Sequence, residues 1–309
     1  VITHKVKEAE RDIIFAEFSE QIGQLVNGIV RVAEGRDIVL DIGKTEAILP
    51  YTEQCRDEVY NHGDRIRTVI IKVHRLFKGP QIAVSRSDPS LLIRLFEMEI
   101  PEVYDNTIVI KNAVREGGER AKVAVESRDD SVDPVGACVG VKGSRISAII
   151  RELRGEKIDI IQYSDDIVDY TINALKPAKI SRVLIGDPVN KILEVIVPED
   201  QLSLAIGKKG QNVRLASRLL GWEIDIRSEE EKKQEILQQM DKLSPVKSPL
   251  EDLDGVGRQT QIRLKNSGIQ TIKELASKST EELTSIPGIG EKTAVKLIAL
   301  AEKFTAEKN

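Results

Sequence analysis

Cysteine is almost absent from this sequence: Cys55 and Cys138 are the two in 309 residues. They are too few for a disulfide framework and too far apart for a zinc cluster, so both read as small buried or half-buried apolar residues. Histidine is nearly as rare, with His4, His62 and His74 in unrelated contexts. No His-Glu-X-X-His and no Gly-X-X-X-X-Gly-Lys-Ser/Thr loop occurs, so metal and nucleotide chemistry lack their parts. Neither catalysis nor a cofactor or metal is expected. The paired carboxylates Asp129-Asp130 and Asp165-Asp166 lie in polar connections, where they read as solvated turns rather than acid–base pairs. Nothing approaches the roughly 20 uninterrupted apolar residues of a membrane helix, and no basic-then-apolar leader opens the sequence, so a cytoplasmic location is expected. Nor is there an excess of one charge, since 46 Lys+Arg against 50 Asp+Glu leave a net −4. Global charge therefore does not point to nucleic acid, and its distribution has to decide. Gln201–Trp222 supplies Lys208, Lys209, Arg214 and Arg218 with no acid, whereas residues 229–241 alternate acids and lysines.

What is present divides into modules. With 40% hydrophobic residues the chain is long enough for two or more cores. Lys7–Phe18 has helical spacing in a charged segment, and residues 1–20 read as a connector helix. Short strands follow at Gln24–Val32, Asp37–Ile42, Glu46–Leu49, Arg65–Val73 and Gln81–Ser85, broken by Gly35, Gly43, Pro50, Gly63 and Gly79-Pro80. Five strands of this length suit a small closed barrel of the OB type over residues 21–88. Through Gly23, Val26–Val30, Asp41–Gly43, Ala47–Pro50, Gly63-Asp64 and Ala83–Arg86 this stretch resembles an S1 domain. Val39 and Ile48 stand where such barrels often carry base-stacking aromatics. Any contact with RNA would then lean on Arg31, Arg36, Lys44 and Arg75.

From Pro89 the pattern becomes helix, strand, strand, helix, glycine turn, helix, strand, and then the whole order repeats. In the first copy the elements are Leu91–Glu99, Thr107–Val114, Ala121–Glu126, Asp133–Val139, Ser144–Leu153 and Glu156–Tyr163. In the second they are Ile167–Leu175, Ala178–Ile185, Lys191–Val197, Glu199–Ile206, Gln211–Leu220 and Trp222–Arg227, with Trp222 expected to fill the core. Gly140-Val141-Lys142-Gly143 aligns with Gly207-Lys208-Lys209-Gly210, and each is followed by a helix and then by Ile-Asp-Ile. Glycine at about 7% makes one or two Gly-X-X-Gly spacings expected by accident in such a chain, but not their shared surroundings. The turn is the KH signature: two glycines let the main chain approach a sugar-phosphate strand, and the next helix offers its positive end. The element order is that of the prokaryotic, type II KH fold, over residues 89–164 and 165–228. The residues expected to meet RNA are Gly140, Val141, Lys142, Gly143, Ser144 and Arg145, then Gly207, Lys208, Lys209, Gly210, Gln211, Asn212, Arg214 and Arg218. Arg151 lies with Arg145 on the helix after the first turn, and for any single arginine a solvated helix surface is the plain alternative.

Residues 229–248 read as a charged linker, helical or flexible. Beyond it, in 249–309, Gly255-Val256-Gly257 and Gly288-Ile289-Gly290 each open a helix, with Thr260 and Leu264 matched by Thr293 and Leu297. This pair resembles an all-α helix-hairpin-helix module. With Asp254 and Glu291 beside the turns, protein docking and nucleic-acid contact are both open.

The fold class expected is therefore multidomain α+β: a barrel, two KH domains and a helical carboxyl-terminal module. The whole arrangement resembles the NusA family of bacterial transcription factors, most specifically at Glu8–Ile13, Val135–Asp159 and Gln201–Asp225. That resemblance implies binding of nascent single-stranded RNA beside RNA polymerase, with roles in pausing, termination and antitermination alongside other Nus factors. It also implies an upstream polymerase-binding domain, of which 1–20 would be the last helix. In some members similar carboxyl-terminal repeats contact protein partners, including the polymerase alpha subunit. A monomer is expected. The competing reading is an accessory module of an RNA-processing or degradation enzyme, because KH and S1 modules accompany exoribonucleases.

Overall fold

The computed structural model describes residues 2–34, 36–76, 79–243, 250, 253 and 255–307. They form two compact units, Val1–Lys232 and Lys233–Asn309.

The first unit opens with helix α1 (Ile2–Ser19) and a closed barrel of β1 (Leu25–Glu34), β2 (Asp37–Asp41), β3 (Glu46–Leu49), β4 (Arg65–Leu76) and β5 (Gly79–Ser85), in the order β1-β2-β3-β5-β4. Strict alternation makes it: Ile38, Leu40, Ala47 and Leu49 point inward while Asp37, Val39, Glu46 and Ile48 stay on the outside. The barrel core is Val30, Ile38, Leu40, Ala47, Leu49, Ile66, Ile70, Ile82 and Val84, joined by Phe18 from α1. Burying each such Leu or Ile stabilises by about 1.5–3 kcal/mol.

Helix α2 (Pro89–Glu99) starts where an Asp-Pro pair dictates. Asp88 accepts a hydrogen bond from the Ser90 amide at 2.7 Å, and Pro89 fills the first turn, where no amide is needed. The first KH domain continues with α3 (Pro101–Tyr104), β6 (Ile108–Glu116), β7 (Arg120–Ser127), α4 (Pro134–Val139), α5 (Ser144–Glu152) and β8 (Lys157–Gln162). Asp133-Pro134 repeats the capping device at α4. The second domain has α6 (Ile167–Ala174), β9 (Arg182–Asp187), β10 (Ile192–Val197), α7 (Glu199–Ile206), α8 (Gln211–Leu220) and β11 (Glu223–Ser228). Both sheets are three-stranded and mixed: β6-β7-β8 with β7 and β8 parallel, and β9-β10-β11 with β10 and β11 parallel. Strand β9 begins four residues later than the sequence suggested. Ala178 is buried in the second core and its amide bonds back to the Leu175 carbonyl, so the chain closes off the core before it enters the sheet. Trp222 packs half-buried against that core. Both cysteines are buried thiols. The paired aspartates prove to be turn and cap formers: Asp129 accepts from the Ser131 amide, and Asp166 caps α6 through the Val168 amide.

Barrel and KH domains stack head to tail. On the helical side of the first domain, Arg94 donates to the Gly23 carbonyl, Arg67 pairs with Glu152, and fully buried Arg86 binds Glu58 and the Glu152 carbonyl. On its sheet side, Val114, Ala124 and Ile161 share one apolar core with Tyr170, Ala174, Leu215 and Leu219 of the second domain. Buried Lys122 crosses this seam, donating to Asp159 at 3.0 Å and to the Ala174 carbonyl at 2.8 Å. The segment expected as a linker begins as helix α9 (Glu229–Leu243), started by a reciprocal pair of bonds between Ser228 and Glu231. Residues 244–248 lie outside the described residues.

In the second unit, α10 (Arg258–Asn266), α11 (Ile272–Ala276), α12 (Thr280–Thr284) and α13 (Glu291–Glu307) enclose a core that includes Leu264, Ile269, Leu275, Leu283, Ile289, Ala294 and Leu297. No described helix is long and apolar enough to cross a membrane.

Candidate nucleic-acid interface

The two Gly-X-X-Gly turns follow the same main-chain path. Gly140 and Gly207 lie at φ 75° and 76°, Lys142 and Lys209 both at φ 52°, and Gly143 and Gly210 at φ 75° and 72°. The first glycine is needed twice over. Its φ is left-handed, and a Cβ there would come within 2.7 Å of Arg145 Cγ in the first copy or of Asn212 Cβ in the second. Each turn closes on an amide-to-carbonyl bond between its own glycines, 3.0 Å for Gly143 to Gly140 and 3.1 Å for Gly210 to Gly207. What this folding leaves outside is chemically pointed: Val141 is 82% exposed, and Lys142, Lys208 and Lys209 are exposed beside it. Helices α5 and α8 start immediately afterwards, so each turn places lysine next to the positive end of a helix dipole.

The other residues expected here divide by position. Ser144 is exposed at the start of α5. Arg145 turns inward, donating to the Ala137 carbonyl at 2.7 Å and to Glu102 at 2.8 Å. Asn212, its counterpart, is 1% exposed and donates to the carbonyls of Ala205 at 3.0 Å and Leu175 at 3.3 Å. Asn212, named with Arg145 as a residue expected to meet RNA, is thus buried beneath its turn, while Arg145 is half-buried and braces its own turn with part of its side chain still exposed. Gln211 and Arg214 reach the first domain instead, binding Glu116 at 2.8 and 2.6 Å, and Gln211 also binds Glu119. Arg218 is exposed and donates to the Arg115 carbonyl. The Arg214 guanidinium and then the Gln211 amide hold the Glu116 carboxyl below the usual carboxylate range, against the opposing pull of burial. Sequence reasoning missed Glu102, which sits 43 residues from the arginine it binds. Local spacing carries no signal for such a partner.

The barrel surface differs from expectation. Arg31 is paired with Asp41, Lys44 with Glu17 at 2.5 Å, and Arg75 with Asp12 at 2.5 Å, so three of the four cations are already met by carboxylates. The last two bind α1 to the barrel rather than standing free. Arg36 lies over the ring of Tyr51, 5.4 Å from its centroid, and Tyr51 is exposed. That aromatic lies just past β3, outside the strand positions where one was sought.

In the helix-hairpin-helix unit, Gly255 and Gly288 take φ 94° and 88°. The carbonyls of Gly257 and Gly290 accept the first helical amides of α10 and α13. Arg263 reaches from the first hairpin to the Gly288 carbonyl at 2.8 Å, so the two hairpins are joined at the turn. Glu291 is exposed, and Asp254 lies outside the described residues. Among the described residues no cluster of three or more His, Cys, Asp or Glu is placed to hold a metal ion.

Comparison with known proteins follows this geometry closely. Residues 86–163 match the NusA-like first KH domain, residues 167–234 the NusA-like second KH domain, and residues 247–303 the SAM-like helix-hairpin-helix tandem. The chain is 52% identical to the transcription termination/antitermination protein NusA of Halalkalibacterium halodurans over 75% of its own length and 60% of that protein. With the protein of the same name from Bacillus subtilis the identity is 51%, over 74% of this chain and 62% of that one. With that of Rickettsia conorii it is 39%, over 100% of this chain and 61% of the relative. The chain thus spans about three fifths of the length of these relatives. Two KH matches specific to one family, in the order and at the places where the two turns occur, together with identity above one half across three quarters of the sequence, establish that the chain belongs to the NusA family.

Proposed function

We propose that this chain is an RNA-binding transcription factor, gripping single-stranded nascent RNA at its two glycine-cornered turns and taking part in pausing, termination and antitermination. One observation carries the RNA-binding half of the reading. Both copies hold a solvent-facing lysine in the left-handed region, at the same place in the same turn. The closed turn holds each lysine outward beside the start of a helix, where a phosphate strand can be drawn against it. The transcriptional half rests on the family and on the names of the relatives.

In this reading the chain acts by binding alone, as a cytoplasmic monomer without cofactor or metal. RNA polymerase is its principal partner, and other Nus factors join it in antitermination. The turns Gly140–Gly143 and Gly207–Gly210 carry the phosphate contacts, Lys208 and Lys209 more strongly than Val141 and Lys142. Arg36 with Tyr51 supplies the barrel's weaker contribution.

Titrating fluorescent single-stranded RNA with the full chain tests this. Replacing Lys208 and Lys209 by Asp is expected to weaken binding at least tenfold while the unfolding transition stays in place. Unchanged affinity would remove the second turn from the reading. Adding the chain to a purified bacterial polymerase on a template with a hairpin terminator is expected to alter the fraction terminated. No change in pausing or termination would contradict the transcriptional role.

A further inference from the structure

We propose that Glu116 of the first KH domain is a positioning residue for RNA binding at the second, acting through Arg214 on the main chain of the second glycine turn. This deepens the RNA-binding reading and rests on it. Glu116 ends strand β6, where the hairpin to β7 closes through the Glu119 amide, which donates to the Glu116 carbonyl at 2.9 Å. The two carboxylate oxygens of Glu116 are divided between two residues of helix α8. Arg214 Nε donates to one at 2.6 Å, and Gln211 Nε2 donates to the other at 2.8 Å. Gln211, the residue immediately after the turn, also donates to Glu119 at 2.8 Å.

Arg214 has a second engagement: its Nη1 donates to the Lys209 carbonyl at 3.3 Å. That carbonyl and the Gly210 amide belong to one planar peptide group, and the Gly210 amide donates to the Gly207 carbonyl at 3.1 Å. The peptide that follows the left-handed Lys209 is therefore held from both sides, and rotating it would break both bonds. A guanidinium suits this task, because its rigid plane donates to a carboxylate and a carbonyl in two directions at once, whereas an ammonium on a flexible stem is a single point of charge. The first copy lacks the device. Ser147 stands where Arg214 does, four residues past the last glycine of the turn, and among the described residues no side chain donates to the Lys142 carbonyl. Only the turn's own bond from the Gly143 amide to the Gly140 carbonyl fixes the corresponding peptide.

The sign of one substitution separates this role from direct contact. A carboxylate beside a phosphate-binding turn repels the strand. If Arg214 gripped phosphate itself, removing Glu116 would free a cation, lift a repulsion and strengthen binding. If Glu116 instead keeps Arg214 on the Lys209 carbonyl, its removal loosens the turn and weakens binding even though a negative charge has gone, because the ordering of the turn must then be met when RNA binds. The Arg214 side chain is 52% exposed and that of Glu116 20%, so neither change opens a hole in a core.

The full chain and its Glu116→Ala, Arg214→Lys and Arg214→Ala variants would be titrated with mixed-sequence single-stranded oligoribonucleotides over a range of salt. Amide hydrogen exchange at Gly143 and Gly210 would be followed on the same preparations. Glu116→Ala and Arg214→Lys are each expected to weaken binding about twofold to fivefold, to leave the slope of log K against log salt in place, and to speed exchange at Gly210 but not at Gly143. Stronger binding by Glu116→Ala, wild-type binding by Arg214→Lys, or a slope shallower by about 0.7 in Arg214→Ala would make Arg214 a phosphate contact and overturn the inference. Equal acceleration at both glycines would reduce Glu116 to a support of the whole fold and overturn it as well. If the wild-type chain bound no RNA, the RNA-binding reading would fall and this inference with it, whereas unchanged exchange at Gly210 in Glu116→Ala would overturn the inference alone.

Discussion

A lysine at φ 52° costs about 1–2 kcal/mol relative to the ordinary helical region, because its Cβ crowds the neighbouring carbonyl. Glycine escapes that cost but loses about 0.5–1 kcal/mol of chain entropy on folding. Lys209→Gly should therefore leave stability equal to the wild type or slightly higher, while lowering RNA affinity. Urea unfolding and an RNA titration on the same preparation separate the two effects, and parallel losses of both would show that Lys209 serves the fold. Gly207 is the opposite case. Gly207→Ala adds a Cβ at a left-handed φ, 2.7 Å from Asn212 Cβ and 2.9 Å from its amide nitrogen. A loss of about 1–3 kcal/mol in urea unfolding is expected, together with weaker RNA binding. A variant as stable as the wild type would mean that the turn tolerates a different path.

At the scale of elements, helix α8 is held by its first turns to the β6–β7 hairpin of the first domain through Glu116. Its carboxyl is depressed in the folded chain, chiefly by Arg214, so the folded state binds fewer protons there than the unfolded state. The stabilisation is then fully present above the ordinary carboxylate pKa of about 4.3 and disappears as pH falls through the lower folded value. The difference in Tm between the wild type and Glu116→Gln should be largest near neutrality and vanish at the acid end. A pH-independent difference would remove the ion pair as its cause. This contact also marks where sequence reading stops. The strands of the barrel, the duplicated KH order and the glycine turns were legible because period-two alternation, Asp-Pro caps and glycine spacing are local signals. The placement of Arg145 and Asn212 was not, because it depends on Glu102 and Leu175 arriving from elsewhere in the fold. Lys44 and Arg75 read as free barrel cations for the same reason, since their partners Glu17 and Asp12 lie on a helix whose docking no spacing specifies.

At the scale of the molecule, the barrel and two KH domains form one compact unit, joined at the barrel by buried polar contacts and at the KH–KH seam by a shared apolar core. Arg86 and Glu58, 1% and 2% exposed, form a buried pair at the barrel joint. Burial opposes the charge on Arg86, but the hydrogen-bonded Glu58 carboxylate outweighs it and raises the guanidinium's pKa. Arg86→Met would strand Glu58 and is expected to cost about 3–5 kcal/mol in urea unfolding, with Glu58→Leu added to it recovering most of the loss. If the single variant were neutral, the joint would not depend on this pair. A compact unit of this kind can present both glycine turns to one strand, as proposed above, and the salt dependence of single-stranded RNA affinity tests that proposal most directly. Three lysines, Lys142, Lys208 and Lys209, each releasing about 0.7 of a counterion, predict a slope of log K against log salt of about −2, flattening toward zero when all three become Gln. A slope unaltered by that triple substitution would contradict the account.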